Sequence, residues 1–283
     1  AAMGRQGPLI VVFAMMVTAG VIVATGFVRT PIVYIPIGIE GAILLGVTAL
    51  FIRIAAPERA DRGFLWQIVL VGLFARVLAM LLIYGVLDPG LFASDHYSYQ
   101  ARGQQILDML DGRGSSRFEG RLQVGYEWVN GFFTLILGRV DAFETNFGPV
   151  VLNAFAGVWT AIVAWALGRA TFSDRAGRIA GVLVALFPSM VLWSVLNIRD
   201  ALATLLIGVL VLLGVYAHRR VRLVHVVGFA VGALLLTTLR DYMGFLLFAG
   251  LALGYALAAR PGRLGSTMVM GTVVVLGGFF MLE

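Results

Sequence analysis

The 283-residue chain contains no cysteine and no lysine. The first absence excludes a disulfide framework and any thiolate metal site. The second makes every one of the 21 basic residues an arginine. Charge of either sign is scarce: Asp, Glu, Lys and Arg make up 13% of the residues, against about a quarter in soluble domains. No repeat, P-loop or dinucleotide fingerprint is present. What remains is 60% hydrophobic, and such a chain is a polytopic membrane protein. The formal charge of +6 does not indicate a nucleic-acid partner, because the arginines sit in short clusters between apolar runs. Clusters of that kind read as cytoplasmic anchors.

Apolar runs long enough to span occur at about 8–28, 32–55, 64–87, 147–168, 178–197, 201–217, 223–239, 242–259 and 264–282. A span needs about 20 residues for a ~30 Å hydrocarbon core. The expected fold is therefore an all-α membrane protein, a bundle of about nine transmembrane helices. The stretch 125–139 is apolar but only some 15 residues long, about 21 Å as a helix. Arginine placement decides how to treat it. With Arg5 cytoplasmic, Arg53, Arg59 and Arg62 are cytoplasmic and 88–146 is external. If 125–139 does not cross, Arg169, Arg175 and Arg178 are inside. So are His218, Arg219, Arg220 and Arg222, and Arg260 and Arg263. If it does cross, these clusters all move outside, against the positive-inside rule. We read 125–139 as re-entrant or interfacial. His218 and His225 are then anchors at a cytoplasmic helix end. The chain begins Ala1-Ala2-Met3 and stops at Glu283 directly after an apolar run, from which a natural protein continuing past residue 283 is expected.

The polar segment is centred on Ser94 to Asp111, directly after a span. Read as a helix, it places Tyr99, Ile106, Leu107 and Leu110 on one face, the profile of a helix lying on a membrane surface. Ser94 is a candidate N-cap, with Asp95 in the first turn, where the helix dipole favours an ionised carboxylate. Asp95 is thus either a general base at the mouth of a membrane cavity or a capping-turn residue. The same topology puts Asp95, His96, Glu127, Arg199-Asp200 and Arg240-Asp241 on one side of the membrane, each near a helix end. Ionisable groups there mark a site or pathway; a single Arg-Asp pair would be a water-exposed cap. Within the spans, Glu40 and Arg76 lie at similar depths, and a buried Glu40–Arg76 ion pair of structural role is expected. Pro188 should kink its helix or free a carbonyl. The 35 glycines suit close helix packing, and Trp66, Trp128 and Trp193 suit interfaces.

The order of motifs carries a resemblance. A span contains Leu73-Phe74-Ala75-Arg76-Val77-Leu78. An external Asp95-His96-Tyr97 follows, with Ala101 after it. Then come Leu186-Phe187-Pro188-Ser189-Met190-Val191-Leu192-Trp193-Ser194, Asn197-Ile198-Arg199-Asp200 and Thr238-Leu239-Arg240-Asp241-Tyr242. Over roughly 64–260 this resembles the GT-C superfamily of membrane glycosyltransferases, in particular bacterial family-39-like, phospholipid-carrier-dependent enzymes. The resemblance implies two extra transmembrane helices in 1–62 and a GT-C-like module in 63–283, with 88–146 external. It implies transfer of a sugar from a polyprenyl-phosphate donor to an acceptor on the outer face of a bacterial inner membrane. Asp95 would be the general base and Arg199 and Arg240 would grip the carrier phosphate. His96, Tyr97, Glu127, Asp200 and Asp241 would bind the sugar or orient the arginines, and membrane lipids would surround the whole. His96 stands where the family often has a second acidic residue, a departure that argues against a metal site, although an Asp95–His96 pair could still ligate a divalent metal ion. Two other functions fit the same residues. One is a non-catalytic scaffold subunit of a larger membrane complex on a truncated or degenerate GT-C body. The other is a transporter or flippase gated by the Arg-Asp pairs.

Overall fold

The computed structural model describes residues 34–113, 124–137, 147–220 and 222–240, together with 242–244, 246–247 and 250. The expected spans at 8–28 and 264–282, most of that at 242–259, and Asp241 lie outside the described residues. Nine helices are described: α1 (Tyr34–Ala55), α2 (Arg59–Gly85), α3 (Asp95–Leu110), α4 (Gly125–Leu137), α5 (Phe147–Thr171), α6 (Asp174–Leu186), α7 (Pro188–Trp193), α8 (Asp200–Arg219) and α9 (Leu223–Leu239). No strand occurs among the described residues.

Four helices are long and apolar enough to cross a membrane: Ile37–Ala55, Arg59–Gly85, Phe147–Thr171 and Asp200–Arg219. Leu223–Leu239 is apolar but shorter. The expectation of nine spans is met only in these among the described residues. The run 178–197 is not a single helix. Proline lacks an N–H and pushes the residue before it out of the helical region. Phe187 is accordingly extended at φ −61°, ψ 124°, which ends α6, and Pro188 restarts the chain at the first turn of α7. Residues 194–199 then run irregularly to α8.

This break also decides the fate of Arg76. No Glu40–Arg76 pair forms. Arg76 is fully buried and donates from Nε to Ser194 Oγ at 2.8 Å, and from Nη1 to the carbonyls of Ala185 at 2.9 Å and Gly72 at 3.0 Å. Pro188 leaves the last carbonyls of α6 without helical partners, and a cation is favoured at that negative helix end. Glu40 belongs to α1, which packs mainly on α5 rather than on α2, and neither of its carboxylate oxygens has a hydrogen-bond partner.

The bundle has two chemically different ends. At one end Arg169 bonds Asp61, with Asp174 at 2.7 Å and Arg178 3.6 Å from Asp61. Arg219 donates to the carbonyl of Ala170. The arginine-bearing junctions α1–α2, α5–α6 and α8–α9 therefore share one end. Close packing of α5 on α6 requires glycine: a Cβ on Gly177 would stand 2.7 Å from the Trp165 carbonyl oxygen, and one on Gly168 2.8 Å from Gly177 Cα.

At the other end α3 and α4 form a cap over the helices. The buried stripe of α3 is His96, Tyr99, Gly103, Ile106 and Leu107, while Leu110 is exposed. The apolar face of α3 is thus spent on protein rather than on a membrane surface. Gly103 makes this possible, since a Cβ there would lie 2.6 Å from Asn130 Cβ on α4. Helix α4 has 13 residues among those described, about 20 Å, short of the length a span needs. Its Trp128, Phe132, Leu135 and Ile136 are exposed, and Glu127, Asn130 and Tyr126 are buried.

Candidate functional site

The segment 194–199 is the centre of the polar end. Its backbone is not helical, so its polar groups need partners from elsewhere. Four elements supply them. Tyr84 on α2 donates to the carbonyl of Val195 at 3.0 Å. Asn153 on α5 donates through Nδ2 to the carbonyls of Leu196 and Ile198, both at 2.8 Å, and to Tyr126 Oη at 2.8 Å. Tyr126 on α4 donates to Asn197 Oδ1 at 2.9 Å, and Asn197 Nδ2 donates to Asn130 Oδ1 at 2.8 Å. From α3, His96 Nδ1 accepts the Asn197 backbone N–H at 3.0 Å. His96, Asn130, Asn153, Asn197 and Tyr126 are all fully buried.

This buried network places the sequence-derived residues. Arg199 and Asp200 begin α8. Arg199 Nη1 donates to the Leu239 carbonyl at 2.9 Å, closing the C-terminus of α9, and its guanidinium lies 5.9 Å from the centre of the Tyr99 ring. Arg240, just past α9, pairs with Asp200 and donates to Tyr242. Glu127 is nearly buried and pairs with Arg102 at 3.2 Å, and the Arg102 guanidinium also stands 5.9 Å from the centre of the Tyr99 ring. Tyr99 is where these fields meet. Burial pushes its phenol up, Arg199 opposes this, and Glu127, Asp95 and Asp200 add to it.

Asp95 is exposed, in the first turn of α3. Ser94 occupies the N-cap position with helical angles, but its side chain makes no capping bond. Tyr97 turns away from this cluster and donates to Asp88 at 2.9 Å. The N–H of Gly90, and then that bond, hold the Asp88 carboxyl below its usual range. His96 has no free surface; burial pushes its imidazole down to about 4, with the Asp88 carboxylate opposing.

A cavity of about 400 Å³ opens beside the cluster. Asp200 and Arg240 line it, with Ser194, Thr160 and Thr204 as hydroxyl groups and Trp193 as an aromatic wall. Gly157 forms its floor against Arg76, whose Nη2 would be 2.7 Å from a Cβ at that position.

Comparison with known families settles the class to which this arrangement belongs. The family model for dolichyl-phosphate-mannose-protein mannosyltransferases matches residues 124–282, more than half of the chain. The chain belongs to this mannosyltransferase family. That match bears out the GT-C resemblance over residues 124–282, which hold the Pro188, Arg199-Asp200 and Arg240-Asp241 motifs, while the Asp95-His96-Tyr97 motif lies outside it. The family is one of membrane glycosyltransferases that take a sugar from a lipid-linked donor, and this member is a multi-pass membrane protein. No curated protein and no solved structure matches it.

For a divalent ion, the Asp95–His96 pair of this mannosyltransferase-family chain offers no shared set of ligand atoms. Asp95 faces out, whereas His96 is buried with Nδ1 engaged by Asn197. Among the described residues, no three His, Asp or Glu side chains are grouped to hold a metal. Several residues of the site were not singled out from sequence: Asn130, Asn153, Tyr126, Arg102 and Asp88; Asn197 entered only as part of a motif, without a role. A signal existed for the amides. Each stands in or beside an apolar run, where a polar side chain is costly unless it has partners.

Proposed function

We propose that this protein transfers a sugar from a polyprenyl-phosphate donor to a hydroxyl acceptor, with Asp95 as general base, on the face opposite the arginine-rich junctions. The observation that carries the proposal is the Arg240–Asp200 pair on the wall of a cavity of about 400 Å³, with Arg199 5.9 Å from the ring of Tyr99 on the helix that begins at Asp95. Asp95 takes the acceptor proton as the acceptor oxygen bonds to the anomeric carbon. The bond from that carbon to the phosphate oxygen breaks, and the lipid phosphate leaves with the electron pair. The leaving group gains negative charge, and guanidinium groups stabilise it through charge-assisted hydrogen bonds. Arg199 and Arg240 serve that role, with Asp200 holding Arg240 in place. Glu127, Asp200 and Asp241 bind sugar hydroxyls. Apolar grooves between helices carry the prenyl chain.

The positive-inside rule puts the Arg169, Arg178 and Arg219 end in the cytoplasm, which makes the opposite face periplasmic in a bacterial inner membrane. A transporter would need a polar route through Glu40 and Arg76, and these two groups are not joined.

Steady-state transfer from a polyprenyl-phosphate sugar by the reconstituted protein tests the phosphate assignment. Arg240→Gln removes a charge-assisted bond, and the donor KM should rise about tenfold, the equivalent of ~1.4 kcal/mol. A donor KM equal to that of the parent would remove Arg240 from phosphate binding.

A further inference from the structure

We infer that His96 is a positioning residue: by accepting the Asn197 backbone N–H, it sets the distance between the helix that carries Asp95 and the segment that presents Arg199 and Asp200. The inference rests on the proposed transfer reaction and adds to it a residue that touches no substrate.

Three observations support it. His96 is adjacent in sequence to Asp95, and Asn197 lies two residues before Arg199. The bond between them is 3.0 Å long and joins two fully buried residues. Asn197 is also held from α4, by Tyr126 and Asn130, so the cap helices and the 194–199 segment meet in one node. The geometry fixes the tautomer. Because Nδ1 accepts, the ring is neutral and its proton is on Nε2. The ring packs against Tyr97 at 4.9 Å and Tyr84 at 5.8 Å between centroids. A carboxylate of the ordinary length in this place would accept the same N–H only by burying a charge, at high cost. The neutral imidazole accepts it without burying a charge; its Nε2–H is buried without a hydrogen-bond partner, a smaller cost than that of a buried charge.

Misplacing a reacting group by about 1 Å can lower a rate on the order of 100-fold. The contribution of His96 should therefore fall in kcat rather than in donor affinity. The experiment compares transfer kinetics of the parent, His96→Asn and His96→Leu. Asparagine carries an oxygen near the place of Nδ1 and can still accept; leucine fills space without accepting. We expect His96→Asn to stay within about fivefold of the parent, and His96→Leu to lose about 100-fold in kcat with donor KM changed less than threefold. Tyr126→Phe, which removes the bond donated to Asn197 and the one accepted from Asn153 and keeps the ring, serves if His96→Leu does not fold. It should lose about tenfold in kcat.

Nitrogen-15 spectra of the histidine-labelled parent give a readout independent of turnover. The protein has three histidines, and the signal lost in His96→Asn belongs to His96. It should show a neutral ring protonated on Nε2, with Nδ1 shifted by hydrogen bonding. If that signature is present and His96→Leu turns over like the parent, the inference is overturned while the transferase reading stands. Absence of the signature overturns it directly. If the parent itself transfers no sugar, the inference falls together with the reaction on which it rests.

Discussion

His96 illustrates how a single buried group sets chemistry at the residue scale. Its imidazole is pushed from 6.5 down to about 4 by burial. A group whose folded pKa is depressed contributes stability that is complete above its unfolded pKa. That contribution is lost as pH falls from about 6.5 toward 4. Protonation also removes the acceptor for the Asn197 N–H. We expect the thermal midpoint of the parent to fall more steeply than that of His96→Asn between pH 6.5 and pH 4. Parallel curves for the two proteins would contradict this. Asp95 and Arg199 were legible in the sequence because charged residues are rare in it. The node that joins them was not. It consists of backbone groups and amides, and its partners Asn153 and Asn197 are 44 positions apart. Only packing reveals that Asn153 serves two carbonyls of the 194–199 segment. The Glu40–Arg76 pairing failed for a similar reason. Depth along two helices was readable, but the rotation of each helix was not, and a proline-freed carbonyl on a third helix took the guanidinium instead.

Among the elements, α5 and α6 share the most extensive contact, and it depends on absent side chains. Gly168 and Gly177 let the two backbones meet where a Cβ on Gly177 would be 2.7 Å from the Trp165 carbonyl oxygen. The obstacle is backbone, which cannot rotate away. Gly177→Val should therefore lower stability by about 1–3 kcal/mol through overpacking, read as a lower thermal midpoint in detergent. An unchanged midpoint would show that the helices separate at no cost. Helix α3 shows the limit of a periodicity argument. Its apolar stripe was evident, but a stripe records only that something apolar covers it. Gly103 and Asn130 show that the cover is α4. Pro188, in contrast, was readable locally because its effect is local: the chain leaves the helix at Phe187 and restarts at once.

The whole molecule is a bundle with arginine junctions at one end and the Asp95 cluster at the other. The proposed orientation rests on the positive-inside rule, and the cysteine-free sequence offers a clean test. Phe172, at the arginine end, and Leu91, at the cluster end, are strongly exposed at 81% and 75%. A membrane-impermeant maleimide applied to intact cells should label Leu91→Cys and should label Phe172→Cys only after permeabilisation. The reverse pattern would invert the topology and put the site in the cytoplasm. The central claim is more specific than topology: this family member moves a sugar, and Asp95 takes the proton. The most direct measurement is sugar transfer from a polyprenyl-phosphate donor by the reconstituted parent and by Asp95→Asn. Asparagine keeps the size of the side chain and most of its hydrogen bonding but cannot act as a base. Loss of a general base typically costs about 10²–10⁴-fold. The account predicts that the parent transfers sugar and that Asp95→Asn, still folded, is slower by at least about 100-fold. Equal rates for the two proteins would contradict it.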